Sequence, residues 1–286
     1  MRYLTFTAGG KASYGIARAG GIVDLGARLG AVLPDLKAYL QAVALGFAAP
    51  DLSAAPRDYA ASEFAYGPVI ANPGKILCVG LNYEEHRKET GRPEAAHPAI
   101  FTRFADTLIG HEAPILLPPV SRALDYEGEL AVVIGKPGFR VPEERAMELV
   151  AGFACFNDAT LRDWQRHTHQ FIPGKNFPAT GPFGPELVTP DEIAVLGDQP
   201  IETRLNGALM QSAKLGDMIF SIPKVIAYLS GFTRLSPGDV IATGTPGGVG
   251  FKREPQLFMK AGDTVEVTIG GVGQLRNAVE AEAGAD

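Results

Sequence analysis

Cysteine is nearly absent from the 286-residue chain: Cys78 and Cys155 are the only two, and both lie in apolar stretches. A scaffold stapled by several disulfides is thereby excluded; a single Cys78–Cys155 disulfide is one reading, and two buried thiols in a reducing compartment are the expected one. Excess positive charge is also lacking. With a net charge of -6 there is no electrostatic footprint for nucleic acid or an anionic membrane, so an anionic substrate needs local Lys, Arg or metal help. No apolar run reaches the ~18 residues that a membrane helix needs, and M-R-Y-L-T-F-T-A-G-G carries no signal-peptide core. A cytoplasmic protein with no membrane or nucleic-acid partner is expected. Internal repeats and low-complexity tracts are missing as well.

What is abundant is hydrophobic residues, 46%, together with 34 glycines and 22 prolines. Many turns in a chain of this length predict a strand-rich, mixed α/β architecture. Short strands are expected over Arg2 to Thr7, Ala12 to Ala17 and Gly21 to Leu25, then a helix opening at Pro34-Asp35. Asn72-Pro73-Gly74 marks a domain boundary after a small N-terminal module. Further along, Asn206-Gly207 predicts a hairpin. Ser221 caps a helix that stops near Gly231, and a second hairpin turns at Gly270-Gly271.

The chemistry centres on D-Y-E-G-E-L-A-V-V-I-G-K, residues 125 to 136. In an extended chain Glu127 and Glu129 share a face, Ala131 and Val133 continue it, and Leu130, Val132 and Ile134 line the other. Two carboxylates at the edge of a core repel unless a cation joins them, and an oxygen-only set suits Mg2+ or Mn2+ better than zinc. A solvated strand end gives the same spacing. Asp158, after the apolar run 151 to 156, is a third ligand or the cap of a helix beginning near Thr160. His86 and Glu89 stand three apart, as a base and its orienting acid or as a solvated turn. The polar segment from Thr90 to Pro98 suits part of a lid.

Lys175 in P-G-K-N-F is an anion clamp or an exposed lysine. His167 and His169 find no cysteine or third histidine at zinc-ligand spacing. The loop T-G-T-P-G-G-V-G, residues 243 to 250, opens no helix, which argues against a nucleotide site and leaves a backbone nest for a carboxylate.

Five segments in this order, G-L-N-Y-E-E-H-R-K-E, D-Y-E-G-E-L-A-V-V-I-G, F-N-D-A-T-L-R-D-W-Q, P-G-K-N-F with G-P-F-G-P, and G-D-V-I-A-T-G-T-P-G-G-V-G, resemble the fumarylacetoacetate hydrolase family. The resemblance implies a mixed β-roll catalytic domain over residues 72–286, a small N-terminal α+β domain over residues 1–71, and a homodimer. It implies Mg2+ or Mn2+ held by Glu127, Glu129 and Asp158, a lid dyad of His86 with Glu89, and Lys175 beside the substrate. Arg162, Gln165 and Thr245, with Gly244 adjoining, match positions that contact substrate or shape its pocket. The chain departs from the pattern at His169, where the namesake enzyme has tyrosine, and at Pro178, where many relatives have aspartate.

The implied substrate is a small anionic 2-oxo acid. Because the His/Glu dyad suits water activation, the expected reaction is hydrolysis of an acylpyruvate, such as fumarylpyruvate or maleylpyruvate from aromatic catabolism, to pyruvate and an acid. Decarboxylation of oxaloacetate and isomerisation of an unsaturated 2-oxo diacid use the same enolate chemistry. A non-catalytic, metal-dependent acid-binding protein is the alternative of a different class.

Overall fold

In the strand Gly128–Ile134, Leu130, Val132 and Ile134 enter one apolar core while Ala131 and Val133 enter another, and every residue is buried. A strand apolar on both faces belongs inside a covered sheet. The computed structural model, which describes residues 1–52 and 54–284, places it there. Val150–Asn157 pairs antiparallel on one side, with Glu129 opposite Phe156, and Val240–Ala242 pairs antiparallel on the other. Ile76–Gly80 follows, parallel to Val240–Ala242, and Ala99–Arg103 completes that side of the sheet.

These directions decide where the site lies. The start of Gly128–Ile134 and the ends of Val150–Asn157, Val240–Ala242 and Ile76–Gly80 all emerge at one edge. The loops that carry the sequence motifs therefore converge there.

On its other side the sheet continues through Gly181–Val188 into the N-terminal strands Arg2–Ala8, Lys11–Arg18 and Gly21–Asp24, with Arg2 opposite Val188. The third of these stops one residue before the sequence predicts. Asp24 instead accepts from Ala27 N at 2.8 Å and caps the short helix Leu25–Leu29. A second, five-stranded sheet includes Pro200–Leu205, Thr264–Ile269 and Gly273–Ala281. Its Val267, Ile269 and Leu275 pack against the core that holds Leu130 and Val132. In its Asn206–Gly207 turn both φ values are positive, 51° and 80°, as a type I′ hairpin requires.

Ser221 Oγ accepts from Lys224 N at 3.4 Å at the head of the helix Ile222–Phe232, whose Val225, Ile226 and Leu229 are buried. Cys78 and Cys155 are free and buried. No helix of the described residues is long and apolar enough to cross a membrane.

The segment after Pro142 forms a 3-10 helix, Glu143–Leu149, and one helix expectation gives way. Thr160–Leu161 forms a two-residue strand against Leu124–Asp125, which delays the next helix to Arg162–Gln165.

Candidate metal centre and catalytic pocket

Glu127 immediately precedes the strand Gly128–Ile134 and Glu129 is its second residue, and both carboxylates reach the same site. The neighbouring strand delivers Asp158 beside them, its N–H donating to the Glu127 carbonyl at 2.9 Å. One oxygen from each of the three carboxylates lies within 4.8 Å of the others. All three residues are buried. Asp158 is not a helix cap: the helix Arg162–Gln165 starts after Leu161 and has no side-chain cap bond.

Buried carboxylates need cations. Lys175 Nζ lies 2.6 Å from Glu127 Oε2 and 2.6 Å from Asp158 Oδ2. Arg162 Nη1 lies 2.6 Å from Glu127 Oε1, and Arg103 Nη1 2.6 Å from Asp158 Oδ1. Burial pushes Glu127 up, yet Arg162, Lys175 and His86 together hold it down at about 2. Glu129 has no such partner among the described residues, and the Gly244 N–H donates to its Oε2 at 2.8 Å. Burial first, then the charges of Asp158 and Glu127, push its carboxyl well above the usual range. Glu127, Glu129 and Asp158 could together hold a divalent cation, which would relieve that imbalance. Oxygen-only donors favour a hard ion such as Mg2+ or Mn2+, so the residues fit the group.

Lys175 is fully enclosed, 1% exposed, which sets aside the surface-lysine reading. Burial works against its charge, but Asp158 and Glu127 more than offset that and raise its pKa. The preceding glycine explains the P-G-K motif. A β-carbon at Gly174 would collide with the Leu161 carbonyl and the Gln165 backbone, so only glycine lets the turn seat Lys175 against the acids.

His86, on the helix Glu84–Glu89, is buried, and its Nδ1 lies 2.7 Å from Glu89 Oε1. Glu89 Oε2 accepts from Gly248 N at 3.0 Å. In the tautomer whose Nδ1–H donates to the Glu89 carboxylate, Nε2 is left as the basic nitrogen. The dyad therefore exists as a contact.

The glycine-rich loop is a carboxylate nest, but for the chain's own carboxylates. Gly244 N holds Glu129 and Gly248 N holds Glu89, while Gly250 N and Phe251 N donate to Asp125 at 2.8 and 3.0 Å. Gly244, at φ +102°, packs on Asn82 and the Val79 carbonyl, where a β-carbon has no room. Its N–H is thus committed to Glu129. Thr245 lines the pocket, with its hydroxyl donating to Gly128 O at 2.9 Å and accepting from Gln211 at 2.7 Å.

His86, Glu127, Glu129, Arg162, Gln165 and Lys175 all line one cavity of about 540 Å3. Thr90 and Arg92, from the expected lid segment, line it too, as does exposed His169. Asp158 sits behind Lys175, fully buried, and Pro178 is exposed.

Two site residues escaped sequence reasoning. Asp125 accepts from Arg162 Nε at 2.8 Å and ties that arginine to the glycine loop. Its place at the head of D-Y-E-G-E was the available signal. Arg103 is fully buried, and besides Asp158 it donates to Thr180 Oγ1 at 2.8 Å and Ala159 O at 3.1 Å. Nothing near it in sequence marked it.

Residues 75–280 match the family description "Fumarylacetoacetate (FAA) hydrolase C-terminal". The chain belongs to the fumarylacetoacetate hydrolase family. Oxaloacetate tautomerase YisK of Bacillus subtilis (strain 168) is 44% identical over 227 residues, 77% of this chain and 75% of that protein. A solved structure described as a putative HpcE protein from Mycobacterium smegmatis superposes with a TM-score of 0.87 at 32% identity, covering 99% of this chain and all of that one. Maleylpyruvate hydrolase from Sphingobium sp. SYK-6, solved with manganese(II) and pyruvate, gives 0.81 at 26% identity, with coverage of 99% and 100%. The mixed α/β, strand-rich architecture is thus that of the family, and the chain is a family enzyme.

Proposed function

We propose that the protein is a divalent-metal-dependent enzyme that interconverts the enol and keto forms of a 2-oxo diacid, with oxaloacetate the first candidate. The observation that carries this reading is the convergence of an acidic triad, one uncompensated carboxylate, a buried lysine and a histidine base at one cavity. The 44% identity to an oxaloacetate tautomerase supports that choice of substrate. Glu127, Glu129 and Asp158 would hold Mg2+ or Mn2+, which supplies Lewis-acid polarisation of a 2-oxo group and stabilisation of enolate charge.

The chain's own groups handle the protons. Ketonisation needs a proton delivered to C3 and one removed from the enol oxygen; the reverse reaction needs the opposite. His86 Nε2, with Nδ1 tethered to Glu89, would take the proton from the enol oxygen and give one to C3, so that the imidazole ends the step in the protonation state in which it began. Lys175 keeps a positive charge beside Glu127 and Asp158 and favours the anionic enolate. Burial of these groups excludes water and strengthens each interaction.

A second reading, hydrolysis of an acylpyruvate, is favoured by the same dyad. There His86 would take a proton from water as it attacks C4, and the C3–C4 bond would break to leave pyruvate enolate and an acid. The two readings part on a panel with Mg2+ or Mn2+: loss of the ultraviolet absorbance of enol-oxaloacetate, pyruvate and CO2 released from oxaloacetate, and pyruvate released from fumarylpyruvate. Accelerated loss of the enol without pyruvate supports tautomerisation. Pyruvate from fumarylpyruvate alone would replace it with hydrolysis, and pyruvate with CO2 from oxaloacetate with decarboxylation.

On either reaction His86→Ala should lower kcat by roughly 10^2 to 10^4 through loss of general acid–base help, with Mn2+ affinity retained. Glu89→Gln should show a smaller loss, because the imidazole remains and only its orienting charge is gone. An unchanged kcat in His86→Ala would assign the proton transfer to another group.

A further inference from the structure

The pocket separates its acids from its free cations. Its acidic lining residues among those described are Glu127 and Glu129, both buried. Arg92, Arg166 and Lys252 also line it and are exposed, and none of the three has an ion-pair partner among the described residues. In a chain of net charge -6, unpartnered cations gathered at one opening are a local reversal of sign.

Phe251 organises two of them. Its N–H is fixed on Asp125, and its half-buried ring carries Arg162 Cζ at 4.3 Å, Arg166 Cζ at 4.8 Å and Lys252 Nζ at 5.4 Å from the centroid. Cation–π attraction at such exposed positions is weak, enough to aim the side chains but not to neutralise them. Arg162 is neutralised by Asp125 and Glu127. Arg166 and Lys252 are not, so the same ring presents one satisfied and two unsatisfied cations to one cavity.

We propose that Arg166 and Lys252, carried on Phe251, form a subsite for the second carboxylate of a 2-oxo diacid. The inference rests on the reading that the 2-oxo acid end binds at the acidic triad. A planar guanidinium can take a carboxylate in two parallel hydrogen bonds, and the lysine adds a point charge. The cavity of about 540 Å3 has room for a ligand with an anionic group at each end. The subsite makes the pocket selective for diacids over monoacids.

The test uses the Mn2+-loaded protein and titration calorimetry with two stable probes, pyruvate and 2-oxoglutarate. Both carry the 2-oxo acid end, and only the second carries a distal carboxylate. Arg166→Gln/Lys252→Gln, at two exposed positions outside the core, should bind 2-oxoglutarate about 10- to 100-fold more weakly than the unmodified protein, as loss of charge-assisted hydrogen bonds implies, with pyruvate affinity unchanged. The melting temperature should also be unchanged. Equal weakening of both probes, or undiminished 2-oxoglutarate binding beside normal pyruvate binding, would overturn the subsite alone. Failure of the unmodified protein to bind either probe would overturn the triad reading on which the subsite depends.

Discussion

Glu129→Ala should abolish metal-dependent turnover and weaken Mn2+ binding by more than about 100-fold, while the metal-free protein keeps or gains thermal stability. The first expectation follows from ligand count: changing groups that merely orient ligands costs about 10- to 100-fold in affinity, and a ligand contributes more than its supports. The second follows from the charge balance. Glu127 has Arg162 and Lys175, and Asp158 has Arg103 and Lys175, but Glu129 forms no ion pair among the described residues and accepts from the Gly244 N–H, with Lys175 acting on it only at a distance. Removing the carboxylate whose charge is least compensated takes away repulsion along with a single hydrogen bond from Gly244 N–H. Calorimetric Mn2+ titration and melting in chelator read the two effects separately. Normal Mn2+ affinity would remove Glu129 from the centre, and a large fall in the metal-free melting temperature would show that its charge supports the fold.

Arg103→Met should produce the largest stability loss in the site, about 3 to 5 kcal/mol by urea unfolding, as expected when one partner of a buried ion pair is deleted. Asp158 would keep Lys175 but lose the guanidinium on Oδ1, and Thr180 and the Ala159 carbonyl would lose their donor. Arg103→Lys should recover part of the loss, since an ammonium can face Asp158 but cannot fork to all three partners. Arg103→Met/Asp158→Asn should be less unstable than the sum of the two single changes, because the bare charge is gone. A loss under about 1 kcal/mol in Arg103→Met would mean that Asp158 is held by Lys175 alone, as for an exposed pair of little worth.

The convergence of Glu127 and Glu129 was legible from their two-residue spacing in an extended stretch, although Glu127 lies just ahead of the strand Gly128–Ile134 and the burial of the pair was not. The assignment of Ala131 and Val133 to one core and Leu130, Val132 and Ile134 to the other follows from the same rule and holds. Asp158 was not decidable locally, since a cap and a ligand occupy the same position after a strand. Its partner Arg103 lies 55 residues away, and that long-range contact decides it.

The glycine loop shows the same limit. Its capacity to hold carboxylates could be read from composition, but Glu89, Asp125 and Glu129 are 159, 125 and 115 residues from the N–H groups that hold them. Thr160–Leu161 became a strand rather than a helix start for a comparable reason: Leu124–Asp125 lies alongside to pair with it. Lys175 could be placed near the acids by resemblance, while its burial depends on the Gly174 packing that no local pattern shows.

The most direct test of a metal-dependent enolising centre is the rate of enol-oxaloacetate ketonisation by chelator-stripped protein as Mn2+ is added back, with calorimetry on the same samples. The account predicts that stripping abolishes acceleration, that activity returns in proportion to one ion bound per chain, and that Glu129→Ala shows neither binding nor recovery. Full activity after stripping, or recovery in Glu129→Ala equal to that of the unmodified protein, would contradict it.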